Sequence, residues 1–151
     1  AMLSALSPHA FLGINEEGRV SIVQTEGNKF GHVILRGGAS GPNHDSVSIA
    51  EAISALEKAK LPNNIVVDCS HGNSHKNHKL QGAVLADVVQ QIENGNQAIK
   101  GVMIESNLFE GSQKLTPGKK DELKYGISIT DACISWEETE SILSNIYQKL
   151  K

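Results

Sequence analysis

The stretch CSHGNSHKNH, residues 69–78, holds one cysteine and three histidines in ten positions. His71 and His75 are spaced i, i+4, and His75 and His78 i, i+3, so one continuous helix would give them a shared metal-binding face. Gly72-Asn73-Ser74 interrupts that continuity, and the spacing then carries no meaning. His75 and His78 are accordingly read as solvated loop residues, and Cys69 as a packed thiol rather than a ligand. Other chemistry-bearing residues follow apolar runs elsewhere in the chain: Arg36 after HVIL, and Glu105-Ser106-Asn107 after GVMI. Asp131 comes from SITDACI. His71, Glu105 and Asp131 make a mixed nitrogen and oxygen donor set, which suits divalent Mn, Fe, Co or Zn better than Ca or Mg. Asp131 fits equally well as the N-cap of a helical turn. Arg36, followed by Gly37-Gly38, could grip a phosphate or carboxylate with both arms of its guanidinium while the glycines let backbone approach it, or form an ordinary surface ion pair.

What must position these residues is legible in the hydrophobic pattern. HVILRGG (32–38), NIVVDCSH (64–71) and KGVMIESN (100–107) each begin apolar and end polar. Runs of this length predict strands buried on both faces, as in parallel sheets. Each precedes a helix. Ile49, Ala52, Ile53 and Leu56 keep helical spacing behind a Ser48/Glu51 capping box. Leu85, Val88, Val89 and Ile92 fall at i, i+3, i+4 and i+7, and Ser135-x-x-Glu138 opens a third amphipathic stretch through Ile142, Leu143, Ile146, Tyr147 and Leu150. The order β-α-β-α-β-α predicts an α/β fold with a parallel sheet, whose ligands gather at the carboxyl ends of the strands. Residues 10–25, with two β-rich arms around Asn15-Glu16-Glu17-Gly18, predict an inserted β-hairpin. Residues 110–126, rich in Gly and Lys, predict a long loop.

Composition narrows the class of function. The 151 residues suit one domain, and a formal charge of −3 with no long basic stretch argues against nucleic acid. Nothing approaches the apolar run of about 18 residues that a membrane span needs. The opening AMLSAL lacks a basic region and a cleavage signature, and the two cysteines suit a reducing compartment, so a cytoplasmic protein acting on small molecules is expected.

ILRGG, DCSHGNSHK, GVMIESN and YGISITDACISWEET, in this order, closely resemble the C-terminal part of type I 3-deoxy-D-arabino-heptulosonate 7-phosphate (DAHP) synthases. The likeness runs from about SPHAFLG to the end of the chain. It implies that residues 1–151 form a partial (β/α)8 TIM barrel, about strands six to eight with their helices, carrying an inserted hairpin. It implies an enzyme that condenses phosphoenolpyruvate with erythrose 4-phosphate, with a divalent metal, as the entry to aromatic amino acids. His71, Glu105 and Asp131 would be three metal ligands. Arg36 and His71 would meet phosphoenolpyruvate, and His71 and Asp131 would act in catalysis, Asp131 as proton acceptor. The hairpin, through Phe11, Gly13 and Val23, would form part of an aromatic amino-acid inhibitor pocket, with tyrosine favoured over phenylalanine because Gly13 leaves space for a phenolic hydroxyl. The family's remaining ligand, an early cysteine, and its other phosphate-binding residues have no counterpart here. A homo-oligomer is expected, and the fragment should need the N-terminal half of the barrel, since three units leave two sheet edges and the interior open. Two other readings are the related octulosonate 8-phosphate synthase and a non-catalytic metal-binding or assembly fragment.

Overall fold

The computed structural model describes residues 1–151. A short helix α1 (Met2–Leu6) leads into an antiparallel hairpin of β1 (His9–Ile14) and β2 (Val20–Thr25). Its turn is closed by Asn15, whose amide oxygen accepts from the Arg19 backbone at 2.9 Å while Gly18 takes the left-handed φ of 75°. Strands β3 (Val33–Leu35), β4 (Ile65–Asp68) and β5 (Ile99–Met103) form one parallel sheet in chain order. Helices α2 (Ser46–Lys58) and α3 (Gln81–Glu93) make the connections, and α4 (Trp136–Lys149) closes the chain. The α/β alternation is as the hydrophobic pattern predicts.

Only one face of the sheet is buried. Val33, Ile65 and Ile99 lie in one row and Leu35, Val67 and Val102 in the next. Against them pack Ile49 and Leu56 of α2 and Val88 of α3, in one apolar cluster. On the opposite face Ile34 and Met103 stay 46% and 42% exposed. The strands therefore differ from the doubly buried runs expected. Helices cover one side, and three strands cannot curl far enough to cover the other with their own side chains.

A second cluster joins Cys69, Val84, Leu85 and Val89 to Ile142 and Ile146 of α4. Leu143, Tyr147 and Leu150, the rest of the α4 stripe, remain exposed. Helix α2 begins earlier than the Ser48/Glu51 box implied. Asp45 is its N-cap, accepting from the Val47 and Ser48 backbones at 3.0 Å, and Ser48 donates its hydroxyl to Asp45 at 2.6 Å. A carboxylate three residues upstream offers the orphan N–H groups a stronger acceptor than a hydroxyl does. At α4 the expected cap holds: Ser135 accepts from the Glu138 backbone at 3.2 Å.

No helix is long and apolar enough to cross a membrane. The hairpin packs little against the rest of the chain. Leu12, Ile14, Val20 and Ile22 line one of its faces and are all exposed.

Candidate functional site

Strand β4 ends at Asp68, and the chain turns at once into a 3₁₀ helix, His71–Ser74. Asn73 ties that turn down, donating from its amide to the carbonyls of Leu35 at 2.9 Å and Asp68 at 2.8 Å. His71 takes a left-handed φ of 44°, costly for a residue with a side chain and held here by the Lys76 N–H donating to the His71 carbonyl at 2.7 Å. Glu105 lies just past β5. Its backbone is clamped by the buried Gln81 at the start of α3, which donates to the Glu105 carbonyl at 3.0 Å and accepts from its N–H at 2.7 Å. The segment carrying Asp131 runs beside this one: Ile134 donates to the Glu105 carbonyl at 3.0 Å, and its own carbonyl accepts from Asn107. Asp131 therefore caps no helix, since α4 starts after Ser135.

These three segments bring His71, Glu105 and Asp131 together, with one ligand atom from each inside a 4.8 Å span. Nε2 of His71 stands 3.5 Å from Oε1 of Glu105 and 3.7 Å from Oδ2 of Asp131. Two donors about 2.1 Å from one ion at tetrahedral angles sit about 3.4 Å apart, so both His71 spacings match a shared divalent ion within a few tenths of an ångström. Asp131 is the open wall of the cluster, its side chain 68% exposed. Ser70, Lys76 and Ala132 complete the small cleft around the three donors. Lys76 makes no ion pair there with any carboxylate.

The other two histidines stay outside this cluster. His75 is exposed, and with Lys76 it forms a left-handed pair, φ 52° and 59°, that ends the 3₁₀ turn. Helical continuity thus breaks there, after Gly72-Asn73-Ser74 rather than within it. His78 is not the solvated residue expected. Its Nε2 lies 2.9 Å from Glu110, and this pairing, with Lys79 alongside, holds the Glu110 carboxyl below its ordinary value. A loop far along the chain supplied a partner that local sequence could not reveal.

Cys69 is fully buried, and burial first, then the neighbouring Asp68 charge, pushes its thiol up to about 12. Cys69 also lies outside the cluster of His71, Glu105 and Asp131, as a packed thiol would. Burial likewise pushes the Cys133 thiol up, and both cysteines are free.

Arg36 follows β3 directly, is exposed and pairs with no carboxylate. Its carbonyl accepts from Gly72 N–H at 2.9 Å, so its backbone lies one residue from His71. Gly37, expected to let a ligand approach, serves instead a contact between backbones: a Cβ there would stand 2.5 Å from the Gly72 carbonyl carbon.

On the hairpin, Phe11 pairs directly with Val23, and a Cβ on Gly13 would stand 2.8 Å from Cγ2 of Val23 and 3.5 Å from Cε2 of Phe11. The three residues therefore share a face. A Val23 methyl already leans over the space that glycine leaves.

Two residues were missed as site-formers. The Ser70 hydroxyl donates to Oε2 of Glu105 at 2.6 Å, and Asp68 lies 2.8 Å from Nδ1 of His71. Their position inside DCSH was the available signal.

The model of the DAHP synthetase I family matches residues 1–144. The chain is 50% identical over 150 residues to a Tyr-sensitive phospho-2-dehydro-3-deoxyheptonate aldolase of Escherichia coli (strain K12), covering 99% of this chain and 42% of that one. It is 47% identical over 151 residues to the Phe-sensitive enzyme of the same organism, covering 100% of this chain and 42% of that one. A solved phospho-2-dehydro-3-deoxyheptonate aldolase from Francisella tularensis SCHU S4 superposes with a TM-score of 0.85 at 47% identity, over 96% of this chain and 41% of that one. The chain thus spans about two-fifths of the length of these relatives.

Proposed function

Because this chain belongs to the DAHP synthetase I family, we propose that the protein containing it condenses phosphoenolpyruvate with erythrose 4-phosphate to give DAHP and phosphate. The observation that carries this reading is the meeting of His71 Nε2 and Glu105 Oε1, just past the carboxyl ends of two parallel strands, with Asp131 Oδ2 from a following loop. The likeness to relatives about two and a half times as long supports placing residues 1–151 as the later strands of a (β/α)8 barrel. The bare Ile34/Met103 face and the unpaired outer edges of β3 and β5 are what an earlier half of such a barrel would cover. Alone, the chain is inactive.

The condensation joins the enol carbon of phosphoenolpyruvate to the aldehyde carbon of erythrose 4-phosphate, while water supplies an oxygen and phosphate departs. His71, Glu105 and Asp131 would hold a divalent ion such as Mn, Fe, Co or Zn, whose Lewis acidity polarises the aldehyde. Arg36 meets the anionic phosphoenolpyruvate through two parallel N–H donors and fixes its face toward the acceptor. Its freedom from any carboxylate leaves those donors available. Lys76, also free of any carboxylate, lines the cleft around the three donors and offers a further cation there. His71 presents its ring at the meeting point of donor and acceptor. Asp131, the most open of the three, keeps one carboxylate oxygen for a proton as charge shifts.

The hairpin forms one wall of an inhibitor pocket for an aromatic amino acid, tyrosine in preference to phenylalanine, as the names of the relatives suggest for the class of effector. Its exposed Leu12, Ile14, Val20 and Ile22 support a subunit contact in a homo-oligomer. A biosynthetic enzyme of this kind, with two free thiols, suits the cytoplasm.

The test is turnover by the full-length protein with phosphoenolpyruvate and either erythrose 4-phosphate or arabinose 5-phosphate. The four-carbon sugar should be much the better acceptor. A preference for arabinose 5-phosphate would replace this reading with the octulosonate one.

A further inference from the structure

Asp68 is a carboxylate 2% exposed at the last position of β4, and the roles assigned above leave it unused. Its two oxygens face two donors. Oδ1 accepts from the Ser70 backbone N–H at 2.8 Å, and Oδ2 lies 2.8 Å from Nδ1 of His71. An ionised carboxylate can only accept, so the neutral ring beside it carries its proton on Nδ1. The Nε2 lone pair is then turned to the side where Glu105 and Asp131 stand. Ser70 acts on the neighbouring ligand in the same sense. By engaging Oε2 of Glu105 at 2.6 Å it fixes that carboxylate and leaves Oε1 facing Nε2. We propose that Asp68 is a positioning residue that sets the His71 tautomer for metal ligation, with Ser70 bracing Glu105 to match. This rests on the metal reading of the cluster.

The decisive substitution is Asp68→Asn, which keeps the shape and removes one acceptor. The Ser70 N–H claims the amide oxygen, so the amide nitrogen must face Nδ1 of His71. A donor there favours the lone pair on Nδ1 and the proton on Nε2, the tautomer that cannot ligate. The experiment uses the full-length protein stripped of metal. Nitrogen NMR of the His71 ring, at a pH where the ring is neutral, reads the tautomer without any metal present. Calorimetric titration with Mn²⁺ reads affinity for the wild type, Asp68→Asn, Ser70→Ala and His71→Ala. The expected results are an Nδ1–H ring in the wild type, an Nε2–H ring in Asp68→Asn, and Mn²⁺ affinity lowered about 10–100-fold in that variant, the usual scale for a lost outer partner. Ser70→Ala should lose less. A wild-type ring protonated on Nε2 overturns the proposal even if Asp68→Asn does not fold. So does an Asp68→Asn protein that binds Mn²⁺ as tightly as the wild type while His71→Ala does not. If His71→Ala itself binds unimpaired, the metal reading falls, and the metal-free tautomer still decides for or against Asp68.

Discussion

Gly37 and Gly72 meet backbone to backbone beside the candidate metal centre. A Cβ on Gly72 would stand 2.9 Å from the Cα of Gly37, and a Cβ on Gly37 would stand 2.5 Å from the Gly72 carbonyl carbon, at a φ of 75°. Neither partner can give way by turning a side chain. Gly37→Ala should therefore lower the unfolding free energy by about 2–3 kcal/mol, combining overpacking with left-handed strain. Because Gly72 adjoins His71, metal affinity should fall as well. Gly38→Ala is the control, since nothing lies within 4 Å of its Cβ. Denaturant unfolding of both variants decides; equal stabilities would show that the two chains separate without cost.

The candidate ligand His71 should be separable from the neighbouring histidines. His71→Ala should lower the affinity for Mn²⁺ roughly 100-fold or more, since even an outer-shell partner is worth about 10–100-fold. Changing His75 and His78 together to alanine should leave affinity nearly intact, because neither belongs to the cluster within 4.8 Å. Competition titration against a metal-sensitive dye measures both. Equal losses would mean that the histidine-rich loop itself holds the metal.

How far this was legible follows from the kind of signal each residue carries. Apolar runs ending in Arg36, His71 and Glu105 announce parallel strands and mark the rim at their carboxyl ends, because chain direction alone decides which end those residues occupy. The hairpin was equally plain, with Asn15 and Gly18 fixing its turn and Phe11 meeting Val23 in register. The Asp68–His71 pairing was not legible. It depends on a left-handed His71 and a 3₁₀ turn anchored by Asn73, and no residue propensity specifies either. The His78–Glu110 pair joins positions 32 apart, beyond any local pattern. At α2 two capping signals competed, and the carboxylate of Asp45 won over the Ser48 hydroxyl.

That cap makes a pH-dependent prediction. Hydrogen bonds from the Ser48 side chain, then from the Ser48 and Val47 backbones, hold the Asp45 carboxyl below its ordinary value of 3.8. A lowered folded pKa means that the stabilisation is fully present above 3.8 and is lost as the pH falls through the lower folded value. Asp45→Ala should cost about 1 kcal/mol at neutral pH. Asp45→Asn keeps an acceptor and should cost less, without the pH dependence. Unfolding curves at neutral pH and below 3.8 test this, and the gap between Asp45→Ala and wild type should close at the acid end. A gap that does not change with pH would remove the carboxylate from the cap.

Cys69 should be inert in the folded protein. With its thiol pushed up to about 12 and its side chain fully buried, about one molecule in 10⁵ carries thiolate at neutral pH. Iodoacetamide should leave Cys69 unmodified in the native protein and label it in denaturant, as peptide mass spectrometry would show. Native labelling at the rate of a free thiol would reveal an opening of the α3/α4 cluster that buries it.

The hairpin carries the regulatory prediction. Phe11 and Val23 face each other across the ladder, and Gly13 completes their face with no side chain of its own. An aromatic ring packed on Phe11 and Val23 would extend its far end over Gly13. A tyrosine hydroxyl would reach that position only with the Val23 methyl swung aside and no side chain on residue 13, whereas phenylalanine ends one atom earlier. Serine at position 13 would bring a Cβ to 2.8 Å from the Val23 methyl, driving Val23 off its place and filling the space with a second hydroxyl. The full-length enzyme should accordingly be inhibited more strongly by tyrosine than by phenylalanine. Gly13→Ser should weaken tyrosine roughly tenfold, about 1.4 kcal/mol and within the range of about 1–3 kcal/mol for overpacking, and affect phenylalanine less. Gly13→Ala separates crowding from polarity, since it adds the clash with Val23 but no hydroxyl. Relatives named Tyr-sensitive and Phe-sensitive lie at 50% and 47% identity, so overall likeness does not choose the effector and the pocket must. Inhibition curves for both amino acids on the three proteins decide. Stronger inhibition of the wild type by phenylalanine, or an unchanged preference in Gly13→Ser, would sink the assignment.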